Sequence, residues 1–184
     1  MTRKFQNKYR VDTIRLQSWD YRNNAAYFIT ICTQNRKHYF GDVVNGKMQL
    51  STIGNLAHEY WNEIPHHFSF AKLDAFVVMP NHVHGIIVID GNGGDRFVAC
   101  NESTTNNKNQ YMANISPKTG SLSTIVRSYK SQVTKMSRPI NPNFAWQSRF
   151  WDHIIRNDAS YQRIKQYIIN NPKKWGEDKF KQEE

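Results

Sequence analysis

Cysteine is scarce: the 184-residue chain has two, Cys32 and Cys100. That is too few for a disulfide framework or a cysteine zinc site, so any metal must be held by nitrogen and oxygen donors. Also missing is an apolar run approaching about 18 residues, which excludes a membrane-spanning helix. The opening MTRKFQNKYRVDTIRL lacks the apolar core of a signal peptide. These absences lead us to expect a cytoplasmic protein with no membrane partner. Internal repeats are absent too. What is present argues for a folded chain: 39% hydrophobic and 13% aromatic residues are incompatible with global disorder. The length suits a single domain, 1–184, with a core of its own.

Charge is the strongest compositional signal. The net +10 divides into +6 over residues 1–37, −2 over 38–120 and +6 over 121–184. Two basic ends around a near-neutral middle suit an anionic polymer such as nucleic acid. Near the N-terminus Tyr9, Arg10, Arg15, Trp19 and Tyr21 interleave aromatic with basic side chains. That pattern fits backbone contacts plus base stacking. It equally fits a packed aromatic arm with solvated charges.

Local patterns supply the elements. AAYFITICTQ (25–34) is a β-branched, aromatic strand, and Asn45-Gly46 in VVNGKMQL marks a hairpin. STIGNLAHEYWNEI is a helix capped by Ser51 or Thr52 and ended by Pro65. FAKLDAFVVMP and HVHGIIVID are two strands joined at Pro80-Asn81. From 91 to 120 the chain turns to Gly, Asn, Ser, Thr and Lys without periodicity, and a mobile insertion is expected there. A helix from Ser121, a short strand in RFWDHIIRN and a helix opened by Asn157 or Asp158 complete the order. Pro172 biases Asn171 away from helical geometry and should end that last helix. The expected fold is α+β: a ferredoxin-like βαββαβ antiparallel sheet with helices on one face, plus an extra C-terminal helix. Trp146 and Trp151 are expected in the core.

The unusual chemistry lies in MPNHVHGIIVI, residues 79–89. Side chains at i and i+2 of a strand share a face, so His82 and His84 project together and can reach one divalent cation. Gly85 leaves room on the opposite face. An oxygen ligand must come from elsewhere, and the last helix offers Tyr167 and Asn171, neighbours at i and i+4. Both lie on the flank of the stripe formed by Tyr161, Ile164 and Ile168. Cation and phenol together suit attack on a phosphodiester, giving a covalent phosphotyrosine. Arg163 and Lys165 are cationic neighbours able to assist. Tyr129, beside Arg127 and Lys130, is a rival nucleophile, although phosphate contact suits it better; Tyr161 is a weaker rival.

MPNHVHGIIVI resembles the His-hydrophobic-His motif of the HUH endonucleases. WQSRFWDHIIRNDASYQRIKQYIINNPKKW resembles the C-terminal block of the single-tyrosine transposases, above all their REP-associated branch. AAYFITICTQNRKHYFG is similar to their first strand. The resemblance covers nearly the whole chain apart from 91–120. It implies a metal-dependent nuclease and strand transferase for single-stranded DNA beside a hairpin formed by a palindromic repeat. By position it implies His82, His84 and Asn171 as ligands of Mg²⁺ or Mn²⁺, and Tyr167 as the nucleophile that links to a 5′-phosphate. Insertion-sequence relatives commonly carry glutamine where Asn171 stands. Arg10, Arg15, Arg127, Tyr129, Lys130, Arg163 and Lys165 are the candidate DNA contacts. A homodimer with the tyrosine in trans and a monomer both occur among such proteins. The competing expectations are a hairpin-binding protein without cleavage and an RNA-binding domain on the same sheet platform.

Overall fold

A computed structural model describes residues 16, 18–91, 118–178 and 180–181. The 91–120 insertion, Arg10 and Arg15 thus fall wholly or largely outside the described residues. Strand β1 (Ala25–Cys32) leads to hairpin strands β2 (Gly41–Val44) and β3 (Lys47–Leu50). Asn45 and Gly46 both take positive φ, as a two-residue turn matched to strand twist requires. Helix α1 (Thr52–Asn62) is capped by Ser51, whose hydroxyl accepts from the Gly54 amide at 3.0 Å. Pro65 sits in the first turn of a second, short helix, α2 (Ile64–His67), so it opens one helix just after another has closed.

β4 (Ala71–Met79) and β5 (His82–Ile89) follow, then α3 (Leu122–Ser137), β6 (Trp151–Ile155) and α4 (Asp158–Asn170). Asn157 caps α4 by accepting from the Ser160 amide at 2.8 Å. The four long strands form one antiparallel sheet in the order β4-β5-β1-β6. Between Leu73 and Phe76 the β4 register slips past β5, a bulge of one extra residue. The slip keeps Leu73 and Phe76 on one face, and leaves Asp74 to meet α4 on the other.

Alternation along the strands divides the core in two. Tyr27, Ile29, Val83 and Ile87 join Trp61, Ile125, Val126 and Tyr129 beneath α1 and α3. Their neighbours Phe28, Ile86, Val88 and Ile155 join Tyr161, Ile164 and Ile168 beneath α4. Helices α1 and α3 thus pack on one face, while the C-terminal helix covers part of the other, which sequence reasoning left open. Fully buried Ile168 anchors it there, worth about 1.5–3 kcal/mol as an apolar side chain removed from water. Trp146 packs against the main core as expected. Trp151 does not: at 65% exposure it faces solvent from the outer strand. No helix among the described residues is long and apolar enough to cross a membrane.

Candidate metal centre

β5 begins at His82, and both histidines point to the α4 side of the sheet, fully buried with ring centroids 4.4 Å apart. Asn81 fixes the first. Its amide nitrogen donates to the carbonyls of Arg36 at 3.0 Å and Phe180 at 2.8 Å. Its oxygen is therefore left to accept from His82 Nδ1 at 2.8 Å. That assigns the proton to Nδ1 and leaves the Nε2 lone pair facing inward, buried and with no hydrogen-bond partner. Burial holds the His82 pKa well below the ordinary imidazole value, helped by His84, Arg36 and His38, so the ring is neutral. A neutral imidazole with an orphaned lone pair is what a cation requires.

His84 is held likewise from the adjacent strand. Its Nδ1 lies 2.8 Å from the Thr30 hydroxyl, and its Nε2 lies 3.3 Å from the Tyr167 hydroxyl. Tyr167 stands on α4, 41% exposed, with its ring edge-on to Phe28 and His84. Burial and the Asp178 carboxylate raise its phenol pKa, while a hydrogen bond from the Asn171 side chain opposes them. Asn171 is itself buried, and its Oδ1 has no hydrogen-bond partner.

The third donor lies beyond α4. Asn171 keeps helical angles despite preceding a proline, and a 3₁₀ turn over Pro172–Glu177 carries the chain back over the sheet. Asp178 then joins His82 and His84, with donor atoms of all three within 4.8 Å of one another. Two imidazoles and a carboxylate could hold a divalent cation and leave positions for a phosphate oxygen. Phe180 covers the group, its ring 4.8 Å from that of His82 and 5.7 Å from that of His84. Sequence reasoning missed Asp178 because it sought an oxygen donor on the helix, and missed Asn81 because a turn already accounted for it. The acidic pair Glu177-Asp178 just past KKW was the available signal.

The remaining candidates separate cleanly. Tyr129 is buried between α3 and α1, where its hydroxyl donates to the Ala57 carbonyl at 3.0 Å. Burial raises its pKa, and its hydroxyl is enclosed between the helices rather than presented at the surface. Lys130 donates to the Gln147 carbonyl at 2.5 Å, and burial lowers its pKa to about 8. Arg127 is exposed on the same helix, across the sheet from the histidines. On α4, Tyr161 donates to Asp74 at 2.5 Å, and burial with that carboxylate pushes its phenol up to about 12. Lys165 bonds both Asp74 oxygens, at 2.8 and 3.1 Å, which turns it toward β4 rather than Tyr167. Arg163 is exposed and lines a cavity of about 730 Å³ with Arg156, Asp152 and Ser160.

No protein-family model matches the chain. An uncharacterized Haemophilus influenzae protein is 39% identical over 172 residues, 91% of each chain. A second protein of that organism, provisionally named a REP-associated tyrosine transposase, is 23% identical over 85% of this chain and 75% of its own. The chain belongs to one family with the first of these proteins and is similar to REP-associated tyrosine transposases. A solved REP-associated tyrosine transposase bound to a REP hairpin shares the fold, with a TM-score of 0.58 and 22% identity. The match covers 89% of this chain and 75% of that one. The histidine pair of this chain is accompanied in space by a tyrosine and a carboxylate.

Proposed function

We propose that the protein is a metal-dependent endonuclease and strand transferase for single-stranded DNA, cutting beside a hairpin through a 5′-phosphotyrosine. The observation that carries this reading is the Tyr167 hydroxyl, 3.3 Å from His84 Nε2 at the edge of the His82, His84 and Asp178 cluster. His82, His84 and Asp178, with Asn171 as the further ligand that the resemblance implies, would hold Mg²⁺ or Mn²⁺. Such an ion supplies positive charge to the phosphoryl oxygens as the transition state forms. The orphaned His82 Nε2 and Asn171 Oδ1 fit that role, because buried polar atoms without partners are costly unless something binds them.

Within this frame the protein groups have separate tasks. Asn81 fixes His82 in the tautomer that presents Nε2, and the Thr30 hydroxyl holds the His84 ring in place. Tyr167 forms a bond from its oxygen to phosphorus while the bond from phosphorus to the 3′-oxygen breaks. The phenolic proton leaves, and the departing 3′-oxygen takes up a proton, so one diester replaces another. Joining is the same step reversed with a new 3′-hydroxyl. With a raised pKa, Tyr167 is almost wholly protonated at pH 7, so its proton must depart during attack.

Several finer features belong to the proposal. The order β4-β5-β1-β6 supports a ferredoxin-like βαββαβ core with β2–β3 inserted and α4 added. One domain over 1–184 carries the site, with 91–120 as an insertion. Tyr167 already meets the histidines of its own chain, which favours a monomeric site over one completed by a partner. The hairpin substrate is carried over from the hairpin-bound relative, and chromosomal DNA as substrate would place the protein at the nucleoid. Arg163 remains a DNA contact, as do Arg10 and Arg15.

The test uses labelled single-stranded hairpins from DNA flanking the gene, incubated with Mg²⁺ or Mn²⁺ and run on a denaturing gel. A protein–DNA band that requires metal and disappears in Tyr167→Phe is expected. A band that persists in that variant would remove Tyr167 from the chemistry. Tight hairpin binding without any band would favour a binding protein that does not cleave.

A further inference from the structure

The indole of Trp151 stands where core packing does not need it. Thr30 of β1 pairs with His84 on one side and with Trp151 on the other. Directly paired residues of antiparallel strands share a face, so Trp151 lies on the histidine face. It sits two strands from His84, about 10 Å at the usual strand spacing. Further along β6 on this face, Ile155 is buried under α4, whereas His153 and Trp151 are not covered. Helix α4 thus closes one end of the face and leaves the end beside the site open. Trp151 is the most exposed large apolar side chain among the described residues.

From these positions we infer that Trp151 stacks on an unpaired base next to the scissile phosphate, with the single strand running along β6. This deepens the function proposed above and rests on it. Three features favour a DNA strand as the occupant. The path is continuous with the metal cluster through Thr30, which contacts His84 at 2.8 Å. A flat aromatic surface accepts any base, and one step from the site it positions the backbone without demanding a sequence. Along the free edge of β6 the charge suits phosphates: Arg156 and Arg163 line a cavity of about 730 Å³ that wraps this edge, with Asp152 and Ile154 entering it from the opposite face. Stacking also differs from burial in what it requires of the free protein, namely that the ring stay uncovered.

The test measures binding of end-labelled hairpins with a single-stranded flank by fluorescence anisotropy, in a Tyr167→Phe background so that no strand is cut. An abasic site is moved one nucleotide at a time through the flank. With Trp151 intact, one position beside the cleaved phosphate should weaken binding roughly 5- to 150-fold, the range for loss of one stacked base. In Trp151→Ala, intact DNA should bind more weakly by that factor, and the abasic site should cost nothing further. Trp151→Phe should restore most of the position dependence. As a check independent of folding in the variants, 2-aminopurine at that position should be quenched on binding protein with Trp151 present. An abasic profile unchanged by Trp151→Ala, or 2-aminopurine left unquenched, overturns the inference while metal-dependent adduct formation stands. Failure of both single-strand binding and adduct formation in the wild type overturns the proposed function and this inference with it.

Discussion

Replacing Gly85 by alanine tests the packing that holds the histidine strand in place. A Cβ at this position would lie 2.2 Å from Trp61 Cζ2, 2.7 Å from Cη2 and 3.0 Å from Cε2. Carbon atoms in contact prefer about 3.5–4.0 Å, so the indole would have to withdraw by well over an ångström. Its surroundings resist. Trp61 is fully buried, stacked on Phe76 at 5.5 Å and edge-on to Tyr129 at 5.3 Å. Overpacking of this kind costs about 1–3 kcal/mol. Against it stands the gain from removing a strand glycine, about 0.5–1 kcal/mol. The expected net loss is about 1–2 kcal/mol, a fall in Tm of about 2–8 °C for a chain of this size. Thermal unfolding followed by circular dichroism would read it. In a double-mutant cycle, Trp61→Phe should relieve part of the loss by vacating the contested space, a coupling of about 0.5–3 kcal/mol. A Gly85→Ala protein as stable as wild type, or zero coupling with Trp61→Phe, would refute the steric argument.

Two further outcomes concern the site itself. Asn81→Ala should release His82 from its fixed tautomer and weaken Mn²⁺ binding about 10- to 100-fold, as loss of a ligand-orienting partner does elsewhere; titration calorimetry reads this directly, and unchanged affinity would sink the assignment. The depressed pKa of His82 sets a pH dependence in metal-free protein. Its unfolded pKa of about 6.5 exceeds its folded one, so the unfolded chain binds the extra proton between the two values. Stability is then complete above about pH 6.5 and falls below it, by at most about 1.4 kcal/mol per pH unit from this group. Urea titrations at pH 7.5 and 5.5 should show a fall that is smaller in His82→Gln; equal falls in both proteins would contradict it.

What could be read in advance followed the reach of each physical signal. Alternation in β5 and the helical stripe of α4 are local, and both predicted faces match the structure. The pairing of His84 with Tyr167 was approachable because each lies on an element whose buried face the sequence reveals. Asp178 was not, since its place depends on a 3₁₀ turn that continues through a proline where the helix was expected to stop. Tyr129 shares its helical phase with Leu122, Ile125, Val126 and Val133, and that periodicity, rather than the basic neighbours that suggested phosphate contact, places it in the core. Trp151 misled in the other direction. Large aromatics usually go inside, and only the pairing of β6 at the sheet edge shows that no described element covers it.

The segment carrying Asp178 has one more consequence. Its carboxylate faces the histidines, Phe180 lies over both rings, and the Phe180 carbonyl accepts from the same Asn81 amide that orients His82. The Arg36 guanidinium lies 5.0 Å from the centroid of that ring. Cover, third donor and tautomer control are therefore mechanically one part. Lifting that part would expose the histidines, remove the anion and loosen Asn81 together. In a centre built this way, a substitution at Phe180 or Arg36 would disturb all three at once.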